Sequence, residues 1–112
     1  MATNPGDIEI DEQWHTVTDD ERYRIRDIEL GLFTVSETTL RPGQSTRGHA
    51  HPWPEVYLGT AGFGMLYLDG DAGHALTPGS RFLVAAGVHH RVASEDGVTF
   101  TCVFAGERRE AA

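Results

Sequence analysis

Apolar and polar side chains alternate with a period of two over much of this chain, and no stretch shows the 3.6-residue spacing of an amphipathic helix. Tyr23 and Ile25 alternate with Arg22, Arg24 and Arg26, while Val98, Phe100, Cys102 and Phe104 fall on one face of a later run. Successive side chains of an extended chain point to opposite faces, so each run predicts a strand with one buried and one solvated side. Further strands are predicted over residues 14–17, 30–40, 46–51, 55–60, 63–68, 75–76, 81–86 and 88–93, the last pairing with 81–86 across a turn at Gly87. A short edge strand is predicted at Ile8-Glu9-Ile10, and a polar turn at residues 18–21. Arg41-Pro42-Gly43, Asp69-Gly70, Thr77-Pro78-Gly79 and Asp96-Gly97 supply the remaining turns. Many short strands closed by Gly and Pro predict an all-β fold, a small antiparallel β-barrel or jelly roll.

Chemistry gathers in one stretch of this pattern. Residues 43–62 follow G-x5-H-x-H-x3-E-x6-G, with Gly43, His49, His51, Glu55 and Gly62 at the fixed places. Two histidines two apart face the same side of a strand. The rigid Pro52-Trp53-Pro54 insert then turns the chain so that Glu55 opens the next strand and brings a carboxylate back toward both rings. Imidazole with carboxylate suits one divalent transition metal ion, Fe, Mn, Ni, Co or Zn, better than Mg or Ca. Tyr57 shares the parity of Glu55 and is predicted to point inward with it.

A second stretch, residues 79–94, carries Gly79, Gly87 and His90 in the order G-x5-(P)-x-G-x2-H. Together the two stretches resemble the paired motifs of the cupin superfamily, over roughly the last two thirds of the chain. Ala85 stands where that family usually has proline and Ser94 where it usually has asparagine; neither position is a ligand. The resemblance implies the double-stranded β-helix fold and the metal ligands His49, His51, Glu55 and His90. His89 and His90 are neighbours, so only one can face inward on a strand, and the family register selects His90. The resemblance also implies a homodimer, because in cupins an N-terminal edge strand often pairs across a dimer.

Length and charge narrow the picture. A chain of 112 residues makes one domain. Residues 1–13 are read as an acidic arm, 14–106 as the cupin domain and 107–112 as a loose C-terminal tail. The net charge of −8 argues against nucleic acid or an anionic membrane surface as partner. No apolar stretch is long enough to span a bilayer, the first thirty residues lack a signal-peptide pattern, and a cytoplasmic protein is expected. All nine basic residues are arginine, which excludes a Schiff-base lysine. Cys102 is read as a small buried thiol, and His15 and His74 as surface residues. Arg22, Arg24 and Arg26 are read as a solvated face neutralising nearby acids. Arg47 shares the parity of His49 and His51 unless Gly48 marks a bulge. It either grips an anionic substrate group bidentately or pairs with an acid at the rim.

More locally, Thr46-Arg47-Gly48-His49, Pro54-Glu55-Val56-Tyr57 and Gly62-Phe63-Gly64-Met65-Leu66 resemble the cupin-type glucose-6-phosphate isomerases of archaea and some bacteria. That resemblance implies that Thr46 and Gly48 help hold an anion, that Glu55 is both ligand and proton shuttle, and that Tyr57 orients the substrate. The loop between His51 and Glu55 is shorter here, and the long terminal extensions of that family are missing. Three functions are therefore carried forward for a small-molecule substrate. The first is an isomerase or epimerase of a sugar, sugar phosphate or related hydroxy-carbonyl compound, working by metal-stabilised proton transfer. The others are an iron-dependent dioxygenase and a non-catalytic small-molecule-binding or sensor domain.

Overall fold

The computed structural model of the protein describes residues 13–69 and 72–108; the edge strand predicted at residues 8–10 lies outside them. Ten strands form two antiparallel sheets, as the alternation predicts. The larger sheet holds β1 (His15–Asp19), β2 (Tyr23–Leu30), β3 (Phe33–Leu40), β10 (Val98–Ala105), β5 (Glu55–Gly62) and β8 (Arg81–Val84), in that order across the sheet. The smaller runs β4 (Gln44–Ser45), β9 (His90–Ser94), β6 (Gly64–Leu68), β7 (Ala72–Leu76). No helix long and apolar enough to cross a membrane occurs among the described residues.

Period-two patterning decides which face is buried. On β2, Tyr23 and Ile25 point inward and Arg24 and Arg26 outward. The arginines do neutralise acids, Arg22 pairing with Asp20 and Arg26 with Glu37. On β10, Val98, Phe100, Cys102 and Phe104 are all buried. The inward residues of the two sheets meet in one core that includes Leu40, Leu66, Leu76, Val84, Val92 and Val98. Each such side chain stabilises the fold by about 1.5–3 kcal/mol through the apolar surface it removes from water.

Four local expectations change. The predicted turn at residues 18–21 starts later, because β1 runs on to Asp19 and Asp20 caps the turn by accepting from the Arg22 and Tyr23 amides. The runs at 22–26 and 30–40 prove to be two eight-residue strands joined at Gly31-Leu32, with Gly31 at φ 67°. The strand predicted over 46–51 is replaced by a two-residue strand just before it, Gln44–Ser45, and one bridge between His49 and His90, because Gly48 takes φ 82° and breaks the ladder. Finally, residues 81–86 and 88–93 do not pair with each other. β8 pairs with β5 and β9 with β6, so the Gly87 turn carries the chain from one sheet to the other.

Ser94, in place of the usual asparagine, still organises its turn. Its hydroxyl donates to the Phe63 carbonyl and accepts from the Gly97 amide. The opposite crossing, from β7 to β8, presses the turn at Thr77 onto β5 at Gly59. A methyl group on Gly59 would stand 2.0 Å from the Thr77 carbonyl oxygen, whereas one on Gly87 would meet nothing within 4 Å. Gly59→Ala is therefore expected to cost about 3 kcal/mol or more through overpacking against backbone, and Gly87→Ala about 1–2 kcal/mol, through its left-handed backbone alone. Urea denaturation of both variants checks the ordering.

Candidate metal centre

Two features of the backbone bring the histidines together. The His49 amide donates to the His90 carbonyl and the His90 amide to the His49 carbonyl, both at 3.0 Å, so these residues face each other across one bridge. The Gly87 amide donates to the His51 carbonyl at 2.8 Å, tying the end of the first motif to the second. Gly48 makes the approach feasible, since a methyl group there would lie 2.9 Å from His89 Cε1. Glu55, the first residue of β5, points inward opposite Val84.

The ligand atoms of His49, His51, Glu55 and His90 all lie within 4.8 Å of one another. His90 is 1 % exposed, His51 6 % and Glu55 8 %, with His49 the least buried of the four. His89 points out to solvent, so His90 is the inward member of the pair, as the register required.

For His51 and His90, hydrogen bonds on the far side of the ring fix which nitrogen carries the proton. His51 Nδ1 lies 2.8 Å from the Trp53 carbonyl and His90 Nδ1 2.9 Å from the Val88 carbonyl. A carbonyl only accepts, so each Nδ1 carries the proton and each Nε2 is left with a lone pair facing inward. His51 Nε2 sits 2.8 Å from Glu55 Oε1. A lone pair opposed to a carboxylate oxygen at that distance is repulsive unless a proton or a cation lies between them. His90 Nε2 is buried without any hydrogen-bond partner. Backbone carbonyls orienting imidazoles in this way is the arrangement that raises ligand basicity at metal sites. Ligand atoms on opposite sides of an ion with bonds of ~2.1 Å stand about 4.2 Å apart, so the cluster needs only a small contraction to fit one. Burial holds the His90 pKa below the ordinary imidazole value, which keeps its lone pair available.

The cluster opens onto a cavity of about 240 Å³. Tyr57 faces into it beside Glu55, its ring 5.7 Å from that of His90. Burial pushes the Tyr57 phenol well up, helped by the Cys102 thiol and the Glu55 carboxylate, and burial likewise raises Cys102. Cys102 is thus the buried thiol predicted, and it also lines the cavity. Trp53 stacks on His51 at 4.4 Å, so the rigid insert also holds a ligand ring in place.

The three residues predicted to hold an anion all line this cavity. Arg47 is exposed and has no ion-pair partner among the described residues. Gly48 is the bulge that the alternation allowed for. Thr46 donates its amide to the Val92 carbonyl and accepts from the Val92 amide through Oγ1, so its side chain extends the ladder where the strand has ended.

Sequence reasoning missed the opposite wall. Ser36 and Thr38 of β3 line it, Ser36 as the cross-strand partner of the buried Asp27, while Thr34, also buried, donates its hydroxyl to the Gly106 carbonyl. Arg108 falls within the segment read as a loose tail, yet its side chain is held between Asp27 and Ser36. The available signal was β3 itself, which carries polar residues on its inward face where a packed strand would be apolar.

Two antiparallel sheets enclosing three imidazoles and a carboxylate, a donor set that could hold a metal ion, define a β-barrel of the cupin class. A family model, Cupin domain, matches residues 36–104, and the chain belongs to that family. It is 31% identical over 100 residues to the dimethylsulfoniopropionate lyase DddW of Ruegeria pomeroyi, an alignment covering 88% of this chain and 62% of that protein. Among solved structures it resembles an RmlC-like cupin from Shewanella frigidimarina, with TM-score 0.76, 20% identity, and 89% and 90% of the two chains covered. It also resembles the DMSP lyase DddQ of Ruegeria pomeroyi, with TM-score 0.71, 19% identity, and 88% and 58% covered. The likeness to glucose-6-phosphate isomerases rests on the short motifs alone.

His49→Ala, His51→Ala and His90→Ala are each expected to remove tight binding of a transition metal ion, because each deletes a ligand whose partners cannot close the gap. Elemental analysis of the purified variants beside the parent checks this; full metal content in all three variants would refute the ligand set.

Proposed function

We propose that this chain is a metal-dependent cupin enzyme that removes a proton from the carbon beside a carboxylate or carbonyl of a small acid and expels a leaving group from the next carbon. The observation that carries this reading is the inward placing of Glu55 and Tyr57 on β5, at the edge of the histidine cluster and lining the same cavity. A cavity of about 240 Å³ lies below the usual range for drug-sized ligands, which favours a short substrate over a sugar phosphate.

An ion held by His49, His51, Glu55 and His90 supplies Lewis acidity toward a substrate oxygen, which makes the neighbouring C–H bond more acidic. Glu55, a carboxylate lining the cavity, takes the proton on one oxygen. The electron pair left on carbon becomes the new double bond as the leaving group departs with its own pair. Tyr57, kept protonated by burial, orients the substrate through its O–H. Arg47, unpaired at the exposed side, draws in the anion. The relative DddW carries the name of a lyase, which supports elimination as the outcome.

The isomerase or epimerase predicted from the sequence shares the first step and differs only in returning the proton to carbon. The protonated Tyr57 phenol beside Glu55 favours it as the second reading, because it offers a proton on the same wall.

Incubation of the metal-loaded protein with short 2- and 3-substituted acids in D2O tests both. Elimination is expected to give the unsaturated acid and the free leaving group, and isomerisation to give deuterium at the carbon beside the carboxylate; neither takes up O2, and Tyr57→Phe should slow the reaction about 100-fold with metal content unchanged. Turnover coupled to O2 consumption would instead establish the dioxygenase, and tight ligand binding with no exchange the sensor. Arg47→Ala is expected to raise KM for anionic substrates and leave neutral analogues unaffected; steady-state kinetics with matched acid and amide substrates measures the difference.

A further inference from the structure

Beyond the metal cluster, the cavity contains a second built arrangement. One cross-strand row on the inner face of the larger sheet runs Asp27, Ser36, Cys102, Tyr57, each the register partner of the next. Tyr57 closes this row at the metal end, and Arg108 sits at the other. Arg108 Nε and Nη2 donate to Asp27 Oδ2 and Oδ1 at 2.8 and 2.9 Å, and Nη2 also donates to Ser36 Oγ at 2.8 Å. Asp27 is 3 % exposed and Ser36 2 %, so this is an ion pair set into the wall, unlike the surface pairs on β2. The Phe104 ring supports the guanidinium from a further side, with Cζ 5.5 Å from its centroid.

Arg108 lines the cavity, and its Nη1 has no hydrogen-bond partner among the described residues. A guanidinium with one edge fixed by a buried carboxylate and its remaining N–H groups free is a preorganised donor. Its charge is felt at Tyr57 and Cys102, and that of Glu55 at Arg108. Ser36 and Tyr57 are two strand spacings apart, roughly 10 Å, and side chains reach inward from both ends.

We propose that Arg108 reads the far end of the substrate by donating from Nη1 to a second oxygen function, so that the substrate class is a short dicarboxylate. This rests on the reading of the cavity as a substrate site. One carboxylate lies toward the histidine cluster and the other meets Arg108, while Asp27 and Ser36 are positioning residues that hold the guanidinium in register. A sulfonium group, the cationic part of the substrate named for the relative DddW, would meet N–H donors at this end and no unpaired carboxylate.

Calorimetric titration of the zinc-loaded full chain with succinate, butyrate and dimethylsulfoniopropionate tests the proposal. Succinate is expected to bind tighter than butyrate by about tenfold or more, the scale of one charge-assisted hydrogen bond. Arg108→Gln should abolish that preference while leaving butyrate affinity and zinc content unchanged. Should Arg108→Gln leave Asp27 unpaired and the chain unfolded, the double variant Asp27→Asn with Arg108→Gln removes the buried charge and makes the same measurement. A preference for succinate that survives in these variants, or that is lost in Arg47→Gln instead, overturns the assignment, as does tighter binding of dimethylsulfoniopropionate than of succinate. Equal binding of succinate and butyrate overturns it while sparing the site. Failure to load zinc, or binding of neither acid, overturns the site reading along with it.

Discussion

Three imidazoles and a carboxylate are packed together with their lone pairs turned toward one another, and much of the structure follows from that constraint. Backbone carbonyls of Trp53 and Val88 claim the Nδ1 protons of His51 and His90, so neither ring can relieve the crowding by switching tautomer. The unpartnered Nε2 of His90 is then costly on its own, since a buried unsatisfied polar atom forfeits about 1–3 kcal/mol, and the His51–Glu55 contact needs a proton or a cation between its two atoms. A single cation satisfies all four groups. The fold thus leaves His90 Nε2 unsatisfied without an ion and holds the four groups preorganised for one.

The scaffold tolerates this because packing is divided between two regions. Leu66, Leu76, Val92 and their neighbours form a close-packed core away from the cavity, while Tyr23, Ile25, Tyr57 and Phe100 belong to both core and cavity wall. The larger sheet consequently changes character along its inner face, from aliphatic to hydroxyl and carboxylate at Ser36, Thr38 and Asp27. Two glycines make the junctions possible. Gly48 breaks the ladder so that His49 and His51 both reach inward, and Gly59 lets the turn at Thr77 rest on β5.

The all-β class was legible from local pattern, and the resemblance to cupins named the four residues that the fold brings within 4.8 Å of one another. Period two assigns faces, and the motifs from Gly43 to Gly62 and from Gly79 to His90 carry the family resemblance that implies the ligands. What was not legible depends on contacts between distant segments. Arg108 and Asp27 are 81 residues apart, and no spacing rule links them. The brevity of β4 and the crossing at Gly87 were hidden for a related reason. Alternation says which way a side chain points, and not which strand lies beside it. Thr34, Ser36 and Thr38 were visible, but an inward polar face becomes informative only once β2 and β10 are known to flank it.

X-ray absorption at the edge of whatever transition metal copurifies with the chain tests the central claim most directly. Three imidazoles and a carboxylate predict a shell of nitrogen and oxygen at about 2.0–2.2 Å, followed by the outer-ring scattering of three histidines. Sulfur in that shell, or scattering from one imidazole or none, would contradict it.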